Sequence, residues 1–226
     1  MDVNELYQEF NLVFNNLGSN IAPGLDKYEI SVYLTKSQDI VEDALYREFE
    51  HSEEARKKLS NMVVQVDRTA SNDVSSHKLT SDSTMFKLPD DLRYIVNERI
   101  KMNQNADRCI RSKFVEIQPC LHDEVDRMMK NPYRYNMFKA LRLDTSVNGE
   151  KYSEIVSKDS NIDFYRVRYI KKCNPIILTD LSSGEFEGMG LSINGQTAVS
   201  QASLDESLHR QIVEMAAKMA YADYKS

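Results

Sequence analysis

The chain has 226 residues, 41% of them hydrophobic and 28% charged, with a formal net charge of −6. That length suffices to bury a real core, as one large domain or two small ones. The charge speaks against a generic nucleic-acid binder, whose affinity for phosphate comes from clustered Lys and Arg, and seven Gly with five Pro speak against a low-complexity chain.

In chain order, the first seventeen residues predict a helix. Asp2 and Glu5 fit a capping box, and Leu6, Phe10, Val13, Phe14 and Leu17 share one stripe before Gly18 ends it. This acidic, amphipathic start lacks the basic and apolar regions of a signal peptide. Pro23 stands at a helix-start position, and apolar residues from Leu25 to Phe49 keep helical spacing. Ser37 can cap a separate second helix, so one long helix or two collinear ones both fit. Ser52 starts a short turn through Leu59, and Met62–Val66 fits a strand.

Residues 67–84 are rich in Ser, Thr, Asn and Asp without a period, and read as a long exposed loop. Beyond it MFKLPDDLRYIVNERIKM alternates as two strands punctuated by Pro89, and Lys113–Gln118 fits another. Pro119 opens a short helix over 120–131, with acids early and Arg127 and Lys130 late, and Pro132 stops it. Asn148-Gly149, between Phe138–Leu143 and Lys151–Ser157, is the strongest hairpin signal. Phe164–Leu181 then supplies the next strand, central in a hairpin-built sheet. Four glycines cluster at 184–195, where Asn194-Gly195 suggests a second small hairpin in the loop 184–198. Ser203 with Glu206 fits a capping box for a last helix whose Leu204, Leu208, Ile212, Met215 and Met219 form its core stripe, flanked by Ala216, Ala217 and Ala220.

The outline is α+β: N-terminal helices, a mostly antiparallel sheet in the second half, a C-terminal helix and long projecting loops. It divides into a helical part (1–60), a β-rich part (61–202) and a helix (203–226) packing back on the first, together one compact unit. No run reaches the roughly 18 apolar residues a membrane span requires, so no membrane partner is expected.

Chemistry-bearing residues are sparse. Cys109, Cys120 and Cys173 are odd in number and scattered, which fits buried thiols in a reducing compartment. A helix N-terminus can lower the pKa of Cys120, but no base accompanies it. His122 and Asp126 share a helix face, yet a metal site needs three or four ligands, so a capped, solvated helix start is the plainer reading. His209 reads as a polar-face histidine. GEFEGMGLSING matches neither a dinucleotide fingerprint nor a P-loop. No catalytic, cofactor or metal residue is assigned. Arg166, Arg168, Lys171 and Lys172 are the densest basic cluster, with Arg166 and Arg168 on the strand face opposite Tyr165, Val167 and Tyr169. A solvated sheet face is the plain reading, and contact with DNA phosphate or an acidic neighbouring subunit the sharper one.

The order of several segments carries a resemblance: VNELYQEFNLVFNNLGSNIAPGLDKYEISVYLTKSQDIVEDAL, FKLPDDLRYIV, VEIQPCLHDEVDRMMKNPYR with ALRLD and SEIVSK, FYRVRYIKKCNPIIL, and LDESLHRQIVEMAAKMAYADY. Together they span most of the chain, and their layout resembles the head-to-tail connector (neck ring, or adaptor) proteins of crAss-like bacteriophages. The resemblance implies a non-enzymatic virion protein, made in the bacterial host cytoplasm, that forms a homo-oligomeric ring, twelvefold in the usual connector. It implies a place below the portal, contacts with the portal or neighbouring neck and tail rings, and a channel for genomic DNA. The loops 67–84 and 184–198 are longer than that layout requires. Rival readings are a small intracellular enzyme using His122, Asp123, Glu124 and Asp126, or a nucleic-acid-binding module using the basic strand.

Overall fold

The computed structural model describes residues 1–17, 24–80, 83–102, 114–136, 138–158 and 162–225. It divides into two compact units, one of Met1–Met62 with Cys173–Ser226 and one of Val63–Lys172. Gly18, Pro23, Cys109 and Lys113 lie outside the described residues.

In the first unit, helix α1 (Val3–Leu17) starts at the expected capping box, with the Asp2 and Glu5 side chains each accepting the other's backbone N–H at 2.7 and 2.8 Å. It buries Leu6, Phe10 and Phe14, whose two rings stack at 5.8 Å. Helix α2 (Lys27–Glu48) is one continuous helix capped by Asp26. Ser37 caps nothing: it is buried in mid-helix, where its hydroxyl donates to Leu34 O and, on the last helix, to Ile212 O, each at 2.9 Å. Helix α3 (Glu53–Leu59) begins at Ser52, whose hydroxyl accepts from Ala55 N.

The second unit is an α+β layout dominated by a seven-stranded sheet of order β1-β7-β3-β4-β5-β6-β2. Its strands are β1 (Val63–Arg68), β2 (Ser83–Lys87), β3 (Leu92–Met102), β4 (Phe114–Pro119), β5 (Lys139–Val147), β6 (Glu150–Val156) and β7 (Ile162–Lys171). Neighbours are antiparallel except β4 and β5. The β5–β6 turn is the predicted Asn148-Gly149, both at positive φ (54° and 82°), which a two-residue turn of this hand demands. The sheet curls strongly, so that Phe86 of one edge strand meets Tyr165 of β7, five positions away, at 5.4 Å between ring centroids. Inside the curl lies an apolar core that includes Ile100, Val115, Ala140, Ile155, Tyr165, Val167 and Tyr169. A short helix α4 (Val125–Met129) covers part of the outer face, packing Val125 and Met128 on Leu141, Leu143 and Val156.

Several expectations are corrected. Strand β7 pairs with β1 and β3 rather than running on from the β5–β6 hairpin, because its alternating Tyr165, Val167 and Tyr169 are needed inside the curl. The chain leaves the sheet after Lys171. Ile176, Ile177, Leu178 and Leu181 bury in the helical unit, where Ile177 and Leu181 cluster with Phe186, Ile193 and the α2 side chains Tyr28 and Val32. Residues 173–202 thus fall with the helices, and Gln38 of α2 holds both ends of this segment: its amide donates to Asn174 O at 2.8 Å, and its carbonyl accepts from Ser203 N at 2.9 Å. Asn194-Gly195 does make a tight turn, closed by Ile193 and Gln196.

Residues 67–84 are not a bare loop either. Arg68 ends β1, a 3₁₀ segment spans Asn72–His77, and Val74 buries against Met85, Val147 and Tyr152. Ser203 is too occupied to cap: Asp205 caps a 3₁₀ turn that leads into α5 (His209–Lys225). Helix α5 packs on α1 and α2 through Ile212, Val213, Ala216, Ala217 and Ala220, with Met215 and Met219 only half-buried. The alanines occupy the buried positions of α5, and the methionines stand at their margin.

Candidate functional site

The outer face of the sheet that α4 leaves open spans β1, β7, β3 and β4. Strand alternation sends Arg166 and Arg168 to this face, because Tyr165, Val167 and Tyr169 take the inner one. Register then assembles their surroundings. Asp67 stands beside Arg166 on one side and Arg99 on the other, while Gln65 and Asn97 flank Arg168. Gln65, Asn97, Arg99, Phe114, Arg166 and Arg168 line a cleft of ≈ 150 Å³.

The three arginines are not equivalent. Arg166 donates from Nε and Nη2 to the two Asp67 carboxylate oxygens, both at 2.7 Å, the fork-to-fork geometry that fixes a guanidinium. Its plane also lies over the rings of Phe114 and Phe164, 5.2 and 5.1 Å from their centroids. The hydrogen bond from Arg166 holds the Asp67 carboxyl below its ordinary range, and Arg166 is raised in turn. Among the described residues Arg168 uses only Nε, donated to Gln65 Oε1 at 2.8 Å. Arg99 makes no hydrogen bond or ion pair to another described residue.

Of the four predicted cationic residues, only Arg166 and Arg168 share this cleft. Lys171 falls on the opposite face by alternation, and Lys172 lies beyond the strand, its backbone N–H donating to Asp91 O and its ammonium to Asp90 O. Arg99, Asn97, Gln65 and Phe114 went unnoticed in the sequence. The signal was faint: polar residues alternating with Ile95 and Ile100 on a strand whose register was unknown.

A second polar cluster lies inside the curl. Glu98 is buried and accepts from Arg142 Nη1 and from the Tyr165 hydroxyl, both at 2.7 Å, while Arg142 Nη2 donates to Asp144 at 3.2 Å. Burial pushes the Glu98 carboxyl above its ordinary value, against the pull of Arg142 and Tyr165. Burial and the Glu98 charge likewise raise Tyr165. Among the described residues Arg142 Nε makes no hydrogen bond and lies 3.0 Å from Asp144 Oδ1 as an ion pair, and the mutual pairing of Glu98 and Arg142 reads as structural.

The remaining candidates separate. Among the described residues no three His, Cys, Asp or Glu side chains converge as metal ligands. His122 Nε2 contacts Asp144 O at 2.9 Å. Burial, with Glu124 and Asp123 nearby, raises the Cys120 thiol instead of lowering it. His209 is buried, with Nε2 3.1 Å from Leu204 O, because α5 turns it inward at its first turn. Among the described residues no helix is long and apolar enough to cross a membrane.

The comparisons with known proteins agree with one another. A family model described as phage tail ring protein 3/4 matches residues 1–226. A protein of Bacteroides phage crAss001 named ring protein 4/5 is 31% identical over 245 residues, covering 100% of this chain and 94% of its own length. Ring protein 3 of the same phage is 32% identical over 225 residues, covering 96% and 93%.

Proposed function

The chain belongs to the crAss-like phage tail ring protein 3/4 family, and from that premise we propose that it is the subunit of a homo-oligomeric ring in the neck of the virion. The full-length family match is the observation that carries this reading. The ring is twelvefold, is stacked between portal-side and tail-side proteins, and extends the channel through which the genome passes. The subunit is made in the host cytoplasm and joins the particle during tail assembly. Its work is mechanical, done by shape, interlocking surfaces and the charge of its faces.

A cyclic ring requires two different surfaces on each subunit, joined head to tail with a rotation that closes. The open outer face of the sheet supplies one polar surface of distinct charge. Electron microscopy of the purified protein, alone and mixed with the portal, tests the reading. Closed rings of uniform subunit number are expected. Only monomers over a wide concentration range, with the portal present, would overturn it.

A further inference from the structure

We propose that the cleft on the outer sheet face is a carboxylate-binding site, in which Arg99 and Arg168 grip an Asp or Glu side chain of a second copy of this chain in the ring. This rests on the ring reading above and adds to it the ligand and the residues that hold it.

The division of labour among the arginines carries the argument. Arg166 has its Nε–Nη2 edge committed to Asp67 and its plane set over two phenyl rings. It has little left for a ligand and serves as a positioning residue that stiffens the cleft. Arg168 is exposed, with its terminal nitrogens unpartnered among the described residues, and Gln65 aligns its Nε edge. Arg99 is the direct partner of Arg166 across β3 and β7, diagonal to Arg168, and is exposed. Both guanidinium groups line the one cleft, and an anion between them offsets their like charge. A guanidinium fork matches a carboxylate in two parallel hydrogen bonds, which makes arginine the residue suited to this role.

The cleft's dimensions and rim choose the anion. A volume of ≈ 150 Å³ admits the end of one side chain. Duplex DNA carries a charge every ~1.7 Å of axis and is gripped by a track of cations. Here the surroundings are mixed instead: Asp67 on β1 is bonded to Arg166, and Glu116 on β4 stands opposite Arg99. Those carboxylates repel a polyanion and tolerate a single one. A second copy is the matching source, since each carries 35 acidic residues against 29 Lys and Arg and so offers carboxylates to its neighbour. Phe114, 41% exposed on the wall, adds an apolar surface for the methylenes of an incoming Glu.

The test pairs variants with a map. Arg99→Gln/Arg168→Gln in the full chain is expected to weaken ring assembly roughly 10- to 100-fold in sedimentation, the loss that charged hydrogen bonds bring. The Lys/Lys double variant should recover part of it, and duplex-DNA binding by fluorescence anisotropy should be the same for all three proteins. A high-resolution electron-microscopy map of the ring in phage particles should show a neighbour's carboxylate between the two guanidinium groups. This map keeps the proposal testable even where a variant melts early. Rings that form equally well in the Gln variant, or a map with phosphate or only solvent in the cleft, would overturn this site and leave the ring reading standing. Particles without any such ring would overturn the ring reading first, and this site with it.

Discussion

Replacing Tyr165 with phenylalanine asks whether the buried Glu98 charge is held by its donors. Phe keeps the ring against Phe86 and removes only the hydroxyl that donates to Glu98 at 2.7 Å. A hydrogen bond to a charged group contributes about 1.5–3 kcal/mol. Taking ~2 kcal/mol, and roughly 2–4 °C per kcal/mol for a chain of this length, Tm should fall by about 4–8 °C. The pH dependence has a definite sign. Burial raises the folded Glu98 pKa above its unfolded value, so the associated stability is fully present below the unfolded pKa and is lost as pH rises through the folded one. Tyr165 favours the ionised form, so removing its hydroxyl raises Glu98 further, and the gap between the two proteins should widen from about pH 5 to about pH 7.5. Thermal melts at both pH values, completed as a cycle with Glu98→Gln, measure this, with an expected coupling of at least ~1 kcal/mol. Equal Tm losses at the two pH values, with a coupling near zero, would refute the reasoning.

Gln38→Ala removes both bonds at the ends of the 173–203 segment and leaves a backbone carbonyl and an N–H without their partner, so chemical denaturation should show a loss of about 2–4 kcal/mol. An NMR titration should place the Asp67 carboxyl below its ordinary pKa and return it towards that value in Arg166→Gln; the stability it contributes is present above the unfolded pKa and lost as pH falls through the folded one.

The local signals in the sequence were of unequal worth. Where a few adjacent residues decide the structure, they decided it legibly. Asp2 with Glu5 caps α1, Ser52 caps α3, and Asn148-Gly149 turns β5 into β6. The α+β class followed from the same local patterns. What stayed hidden depends on partners distant in sequence. Ser37 looked like a cap because its true partner, Ile212 O, lies 175 residues away. Ser203 with Glu206 had the form of a capping box, but Asn174 and Gln38 claim Ser203 first. His209 sits among charged neighbours in sequence and is nonetheless turned inward. The cleft shows the same limit. Arg166 and Arg168 were visible as a pair, but Asp67 and Arg99 join them only through strand register, and alternation removes Lys171. The family resemblance was legible because it rests on the order of many such local patterns.

The chain leaves the helical unit after Met62 and returns to it at Cys173, and Val63 and Ile170 sit side by side where the sheet begins and ends. This has a consequence for synthesis on the ribosome. Once Lys172 has emerged, every strand of the sheet is available, while α1 and α2 still await α5. A completed sheet then holds the two halves of the helical unit at neighbouring points. Bridging them through an unstructured loop of roughly 110 residues would instead cost about 4 kcal/mol in its length-dependent term. The inserted module thus acts as a template for its host, and the helical unit is the last to become whole.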